Sequence, residues 1–130
     1  MQVRIFGLAV VCAAALALPA WAHHSHSAYE VTKWSMLEGT VRELHFIVPH
    51  SWVYVDIKDD KGEVVTWALE AAGPNAIMQN GVKKEDVRVG DRIRVRCHVL
   101  RDGTNGCLLG FITPLHGDKD RGHGIELEWD

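Results

Sequence analysis

An all-β fold is predicted for this chain by three observations. Between Met36 and Leu115, apolar residues alternate with polar ones in short runs, the period of strands buried on one face. Turn-forming stretches, "DDKG" at 59–62 and "RDGTNG" at 101–106, separate these runs at hairpin spacing. A single stretch, "GPNAIMQNG" at 73–81, carries the punctuation of a helix. Three strands, one short helix and two more strands is the order of an OB-fold-like five-stranded barrel, with a small β-sandwich as the alternative.

The elements follow in order. "MLEGTVRELHFIV" (36–48) is a long first strand in which Gly39 marks a bend or bulge. Pro49-His50-Ser51 interrupts it. With Pro49 and His50 as the central turn residues, Val48 faces Ser51, and Leu44 and Phe46 point inward with Val53 and Val55. "WVYVDIKD" (52–59) is the second strand, and a four-residue turn from Asp59 to Gly62 returns the chain as "EVVTWALE" (63–70). Pro74 suits a first helical turn and Asn80-Gly81 a helix end, which places the helix at 74–80. "RIRVRCHVL" (92–100) sets Ile93, Val95, Cys97 and Val99 on one side, and "CLLGFITPL" (107–115) pairs back against it. The barrel thus occupies 36–115. In the tail, 116–130, a charged glycine-rich loop precedes "IELEW", a short last strand.

Residues 1–22 have the form of a secretory signal peptide. Arg4 supplies the positive start, Ile5 to Leu18 is an uncharged apolar run, and Ala20-Trp21-Ala22 presents small residues where a signal peptidase reads. The apolar run has 14 residues against the roughly 20 that cross a bilayer, so no membrane anchor is expected to remain. Val11 before Cys12 disfavours a lipid anchor. Cleavage after Ala22 leaves 108 of the 130 residues, with 23–35 as a polar leader, and predicts a periplasmic protein. Losing Arg4 takes the formal charge from −3 to −4, the wrong sign for a nucleic-acid partner. Export also permits a disulfide between the remaining cysteines, Cys97 and Cys107. With Arg101 to Gly103 as a three-residue hairpin loop, these two residues lie directly opposite each other.

The chain resembles, nearly end to end, the exported bacterial proteins of domain of unknown function 6152. The resemblance rests on "AHHS" (22–25), "GTV" (39–41), "PHSWVYVDIKD" (49–59), "GEVVTWALE", "GPNAI", "NGV", "VGDRIRV" and "RDGTN". It implies an exported single domain and names no activity. Val48 stands where the family has the asparagine of Asn-Pro-His, and Val82 where it has the tryptophan of Gly-Trp. The cysteine pair and the tail beyond Pro114 depart from the pattern.

Two functional readings stand beside each other. In the first, cleavage exposes an α-amine on His23, so that amine and imidazole of one residue can chelate a metal. His24 and His26 follow within the same tetrad, and nitrogen donors of this kind suit Cu(II). His50, the non-leader histidine best matched by the family resemblance, is the candidate distant ligand. The strand behind it spans about 40 Å, a length the extended leader can run back along. In the second reading the barrel binds a small molecule, glycan or partner protein. The registers above place His45, Ile47, Trp52, Tyr54, Trp67 and Leu69 on one outward face, exposed for a ligand or covered by Tyr29, Trp34 or the last strand. His116 and His123, among Asp118 and Asp120, form a weaker zinc candidate, and His98 is expected at the surface. No nucleophile with a base, phosphate loop or paired-carboxylate motif is present, so an enzyme is the weakest reading.

Overall fold

A computed structural model describes residues 26–130. The signal-peptide reading, and with it His23 and His24, lies outside the described residues. Six strands form one sheet: β1 (Ser35–His45), β2 (Trp52–Lys58), β3 (Val64–Glu70), β4 (Arg92–Val99), β5 (Gly106–Pro114) and the short β6 (Leu127–Glu128). Their order is β3-β2-β1-β4-β5-β6, and a parallel pairing of β3 with β5 closes the first five strands into a mixed barrel. The barrel expected from the sequence is therefore present, with the short helix α1 (Pro74–Gln79) between β3 and β4.

Closure depends on β1 serving two partners. Its first half pairs with β4 and its second half with β2, with a bulge between Val41 and Glu43. Gly39 sits at the bend because the neighbouring strand crosses so closely there. A Cβ would lie 2.4 Å from the Asp56 carbonyl oxygen, which only glycine avoids. Inside, Val41, Val53, Val55, Ile93, Val95 and Leu109 are fully buried. Ile77, the one buried residue of α1, joins this core together with Val82, Val87 and Trp129.

The hairpin registers differ from expectation, each for a local reason. His45 pairs with Trp52, so Phe46 to Ser51 forms a longer connection with a cis Val48–Pro49 bond, and the register moves by two residues. An even shift keeps every side chain on its face, so Val53 and Val55 still point inward. The β2–β3 turn moves by one residue instead: Lys58 pairs with Val64, and the loop is Asp59 to Glu63. The Asp59 carboxylate accepts from the amides of both Lys61 and Glu63 at 2.9 Å, and Gly62 takes a positive φ of 79°. That odd shift turns β3 over. Leu69 is fully buried and Trp67 packs against the core, which removes both from the outward face on which they were expected.

Cys97 and Cys107 are bonded, with Cα atoms 5.8 Å apart. They are diagonal neighbours and not direct opposites, since Cys97 faces Leu109 and Val99 faces Cys107. The hairpin loop runs from Arg101 to Asn105, because the Leu100 amide donates to the Gly106 carbonyl and the Asp102 carboxylate holds Thr104 in the loop.

Candidate functional site

The inverted register of β3 builds the site. With Val65, Trp67 and Leu69 turned inward, Glu70 ends the strand on the outer side, opposite Trp52 on β2 and Leu108 on β5. It is nevertheless only 8 % exposed, because the leader folds over it. After a 3-10 turn at His26–Ala28, Tyr29 forms a bridge with Leu100. The Glu30 amide donates to Val99 and the Arg101 amide to Ala28, at 2.8 and 2.9 Å. The leader thus continues the sheet beyond the end of β4.

Tyr29 brings its phenol to Glu70, donating to Oε2 at 2.5 Å. The other carboxylate oxygen, Oε1, lies 2.5 Å from Nδ1 of His50. His50 is held in turn by its loop: the Ser51 amide donates to Ala72 and the Ala71 amide to Ser51, extending the β2–β3 ladder by one step. A carboxylate oxygen is an acceptor, so at this distance Nδ1 is the ring nitrogen that donates to Glu70. Burial raises the Tyr29 phenol well above its ordinary value, and the hydrogen bond to Glu70 and the carboxylate charge push it the same way.

These groups border an open cleft of about 250 Å³ lined by His26, Pro49, His50, Glu70, Ala71, Ala72, Gly73, Leu108 and Asp130. Gly73 faces the Pro49 carbonyl so closely that a Cβ would lie 2.8 Å from its oxygen. Two of the predicted metal ligands, His26 and His50, therefore share one cleft. Among the described residues no three His, Cys, Asp or Glu side chains converge on a single ion position. Glu70 is not among the residues the sequence picks out, and Tyr29 is expected only as a cover for the outward face. An acidic residue closing an apolar strand was the available signal for the first, and a lone tyrosine in a polar leader for the second.

The other candidates are distributed differently. His45 meets Tyr54 edge-on at 5.5 Å, and Trp52 stacks against Tyr54 at 6.5 Å, so three of the four ring-bearing residues predicted for the outward face form a ladder on β1 and β2. Trp67 is on the core side and does not join it. Trp34 does not cover this ladder; it stacks on His98 at 3.9 Å, on the far side of β1. His98 is consequently half-buried, with Nδ1 2.6 Å from the Lys33 carbonyl oxygen. In the tail, His116 spends both ring nitrogens on the backbone, accepting from Asp118 and donating to Asp86, and His123 accepts from Gly117. That arrangement gives the zinc reading no support.

Fold and site together define a small closed β-barrel with a docked N-terminal strap and a histidine–carboxylate cleft at one end. Its disulfide fits an oxidising compartment. No helix among the described residues is long and apolar enough to cross a membrane. The chain belongs to the Family of unknown function (DUF6152), whose model matches residues 9–109 and so includes Tyr29, His50 and Glu70. No curated protein is detectably similar to it. The same holds for solved structures.

Proposed function

We propose that the chain is an exported, non-enzymatic binding barrel that takes up a metal ion, Cu(II) by its donor chemistry, between the processed N-terminus and His50. One observation carries this reading: docking of Tyr29 on Glu70 brings the leader to the cleft in which His50 stands. Cleavage after Ala22 would place the α-amine and imidazole of His23 three residues ahead of His26, which already lines that cleft. An amine and imidazoles favour tetragonal copper, and a carboxylate behind a ligating histidine is a recurrent support for such ligands. Untagged protein recovered from a bacterial periplasm should bind one Cu(II) per chain. Adding a single residue before His23, or substituting His50→Ala, should weaken binding at least tenfold. Equal binding by all three proteins would exclude the terminus and His50 as ligands.

The ladder of His45, Tyr54 and Trp52 supports a second reading, a binding face for a small ring-bearing molecule, a glycan or a partner protein. Trp52→Ala and Trp67→Ala separate ligand contact from packing. The first should remove ligand-induced fluorescence changes and leave the melting temperature close to that of the parent. The second should lower the melting temperature, because Trp67 packs on the core. A Trp52→Ala protein that melts as low as Trp67→Ala would show that Trp52 serves packing alone.

A further inference from the structure

We infer that Tyr29 and Glu70 are the positioning residues of His50, and that one carboxylate both clamps the leader and sets the ring nitrogen available to a ligand. The inference rests on the metal reading for its purpose, though not for its geometry. Glu70 is 8 % exposed and Tyr29 5 %, so each polar atom at their junction must find its partner within the protein or bear the cost of burial. The two carboxylate oxygens are divided between two donors. Oε2 accepts a hydrogen bond from the phenol of Tyr29, and Oε1 accepts one from Nδ1 of His50.

Two consequences follow from that division. First, His50 is held as the Nδ1–H tautomer, so the lone pair of Nε2 is the one presented to a metal. The carboxylate behind the ring also fixes the direction in which that nitrogen points. Second, leader docking and ring orientation are coupled. When the phenol is in place, the carboxylate is held from one side and has less rotational freedom on the other. Without the phenol, Oε2 lacks its buried donor, and the carboxylate is free to turn away from His50. Docking of the leader therefore sets His26 at the cleft and orients His50 together. Trp34, which fastens the same leader by ring stacking away from the cleft, takes no part in this coupling.

The test uses the processed, untagged chain with Cu(II) alone as the probe, and a metal-free arm. In the metal-free protein, long-range nitrogen–proton NMR correlations should report the Nδ1–H tautomer for His50. In Tyr29→Phe, which keeps the ring, and Glu70→Gln, which keeps the shape, that signature should weaken or average. With copper, both variants should bind about 10- to 100-fold more weakly than the parent, the usual effect of losing a ligand's outer support. Their electron paramagnetic resonance parameters should also change, while Trp34→Ala leaves affinity and spectrum unaltered. An Nε2–H tautomer for His50 in the parent protein would overturn the inference whatever the copper result. Tight copper binding with unchanged affinity and spectrum in Tyr29→Phe would overturn the coupling and leave the metal reading intact. Absence of copper binding by the parent, with the Nδ1–H tautomer present, would remove the metal reading and leave Tyr29 and Glu70 as positioning residues for another ligand of Nε2.

Discussion

Beyond its backbone hydrogen bonds, the leader is held on the barrel by two ring side chains that use different chemistry. At Tyr29 the contact is buried and polar, a phenol on a carboxylate that also holds a histidine. At Trp34 the contact is a ring on a ring: the indole is 51 % exposed, stacks on His98 at 3.9 Å and lies over Gly110. A buried polar junction is costly to leave half-made and so enforces one geometry. A half-exposed stack contributes modestly and tolerates sliding. The difference teaches where to look for function. The first fastening brings titratable groups to a cleft, whereas the second only holds the strap down.

Substitution of Tyr29 tests the buried junction most severely. Tyr29→Ala removes a buried ring and strands the Oε2 acceptor of Glu70, and should cost about 3 kcal/mol or more in urea unfolding. Tyr29→Phe isolates the hydrogen bond and should cost about 1–2 kcal/mol. If Tyr29→Ala were to cost under about 1 kcal/mol, the leader would be held no more firmly there than at Trp34, and the asymmetry would vanish.

Alkaline pH probes the same junction more gently. The Tyr29 phenol is raised by burial first and by Glu70 second, so the folded protein keeps its proton above pH 10.0 while the unfolded chain loses it. Its contribution to stability is therefore fully present below that pH and declines as pH rises toward the folded-state value. Unfolding free energies measured between pH 9 and 11, on the order of one unit either side of an ordinary tyrosine, should fall more steeply for the parent than for Tyr29→Phe. Parallel pH profiles for the two proteins would show that the phenol is not held as the structure has it.

How much of this was legible in the sequence depends on what each feature rests on. The barrel was legible because alternation and turn composition are local. Ile93, Val95 and Cys97 face inward as their period requires. The face of β3 was not, since it turns on one residue in the Asp59–Glu63 loop, decided by which backbone amides the Asp59 carboxylate captures. That single residue moved Trp67 and Leu69 inward and Glu70 outward, and so the carboxylate at the centre of the cleft went unseen. His50 was readable as a turn residue behind Pro49. Its partner was not, because the His50–Glu70 contact joins residues 20 apart and the Tyr29–Glu70 contact residues 41 apart, and no local pattern encodes either.

The exposed stack at Trp34 can be tested in the same way. Trp34→Ala removes a half-exposed stack and should cost about 1 kcal/mol. Gly110 lies beneath that ring, where a Cβ would sit 2.6 Å from the indole Cζ3 and 3.3 Å from the Arg96 carbonyl oxygen. It also falls at the register shift between Arg96 and Cys97, so two explanations compete for the glycine. If the indole demands it, Gly110→Ala should destabilise the parent but cost distinctly less in a Trp34→Ala background, a coupling that a double-mutant cycle measures directly. An equal cost in both backgrounds would assign Gly110 to the bulge of β5. The stack would then be a consequence of the bend in that strand and not a second selected fastening.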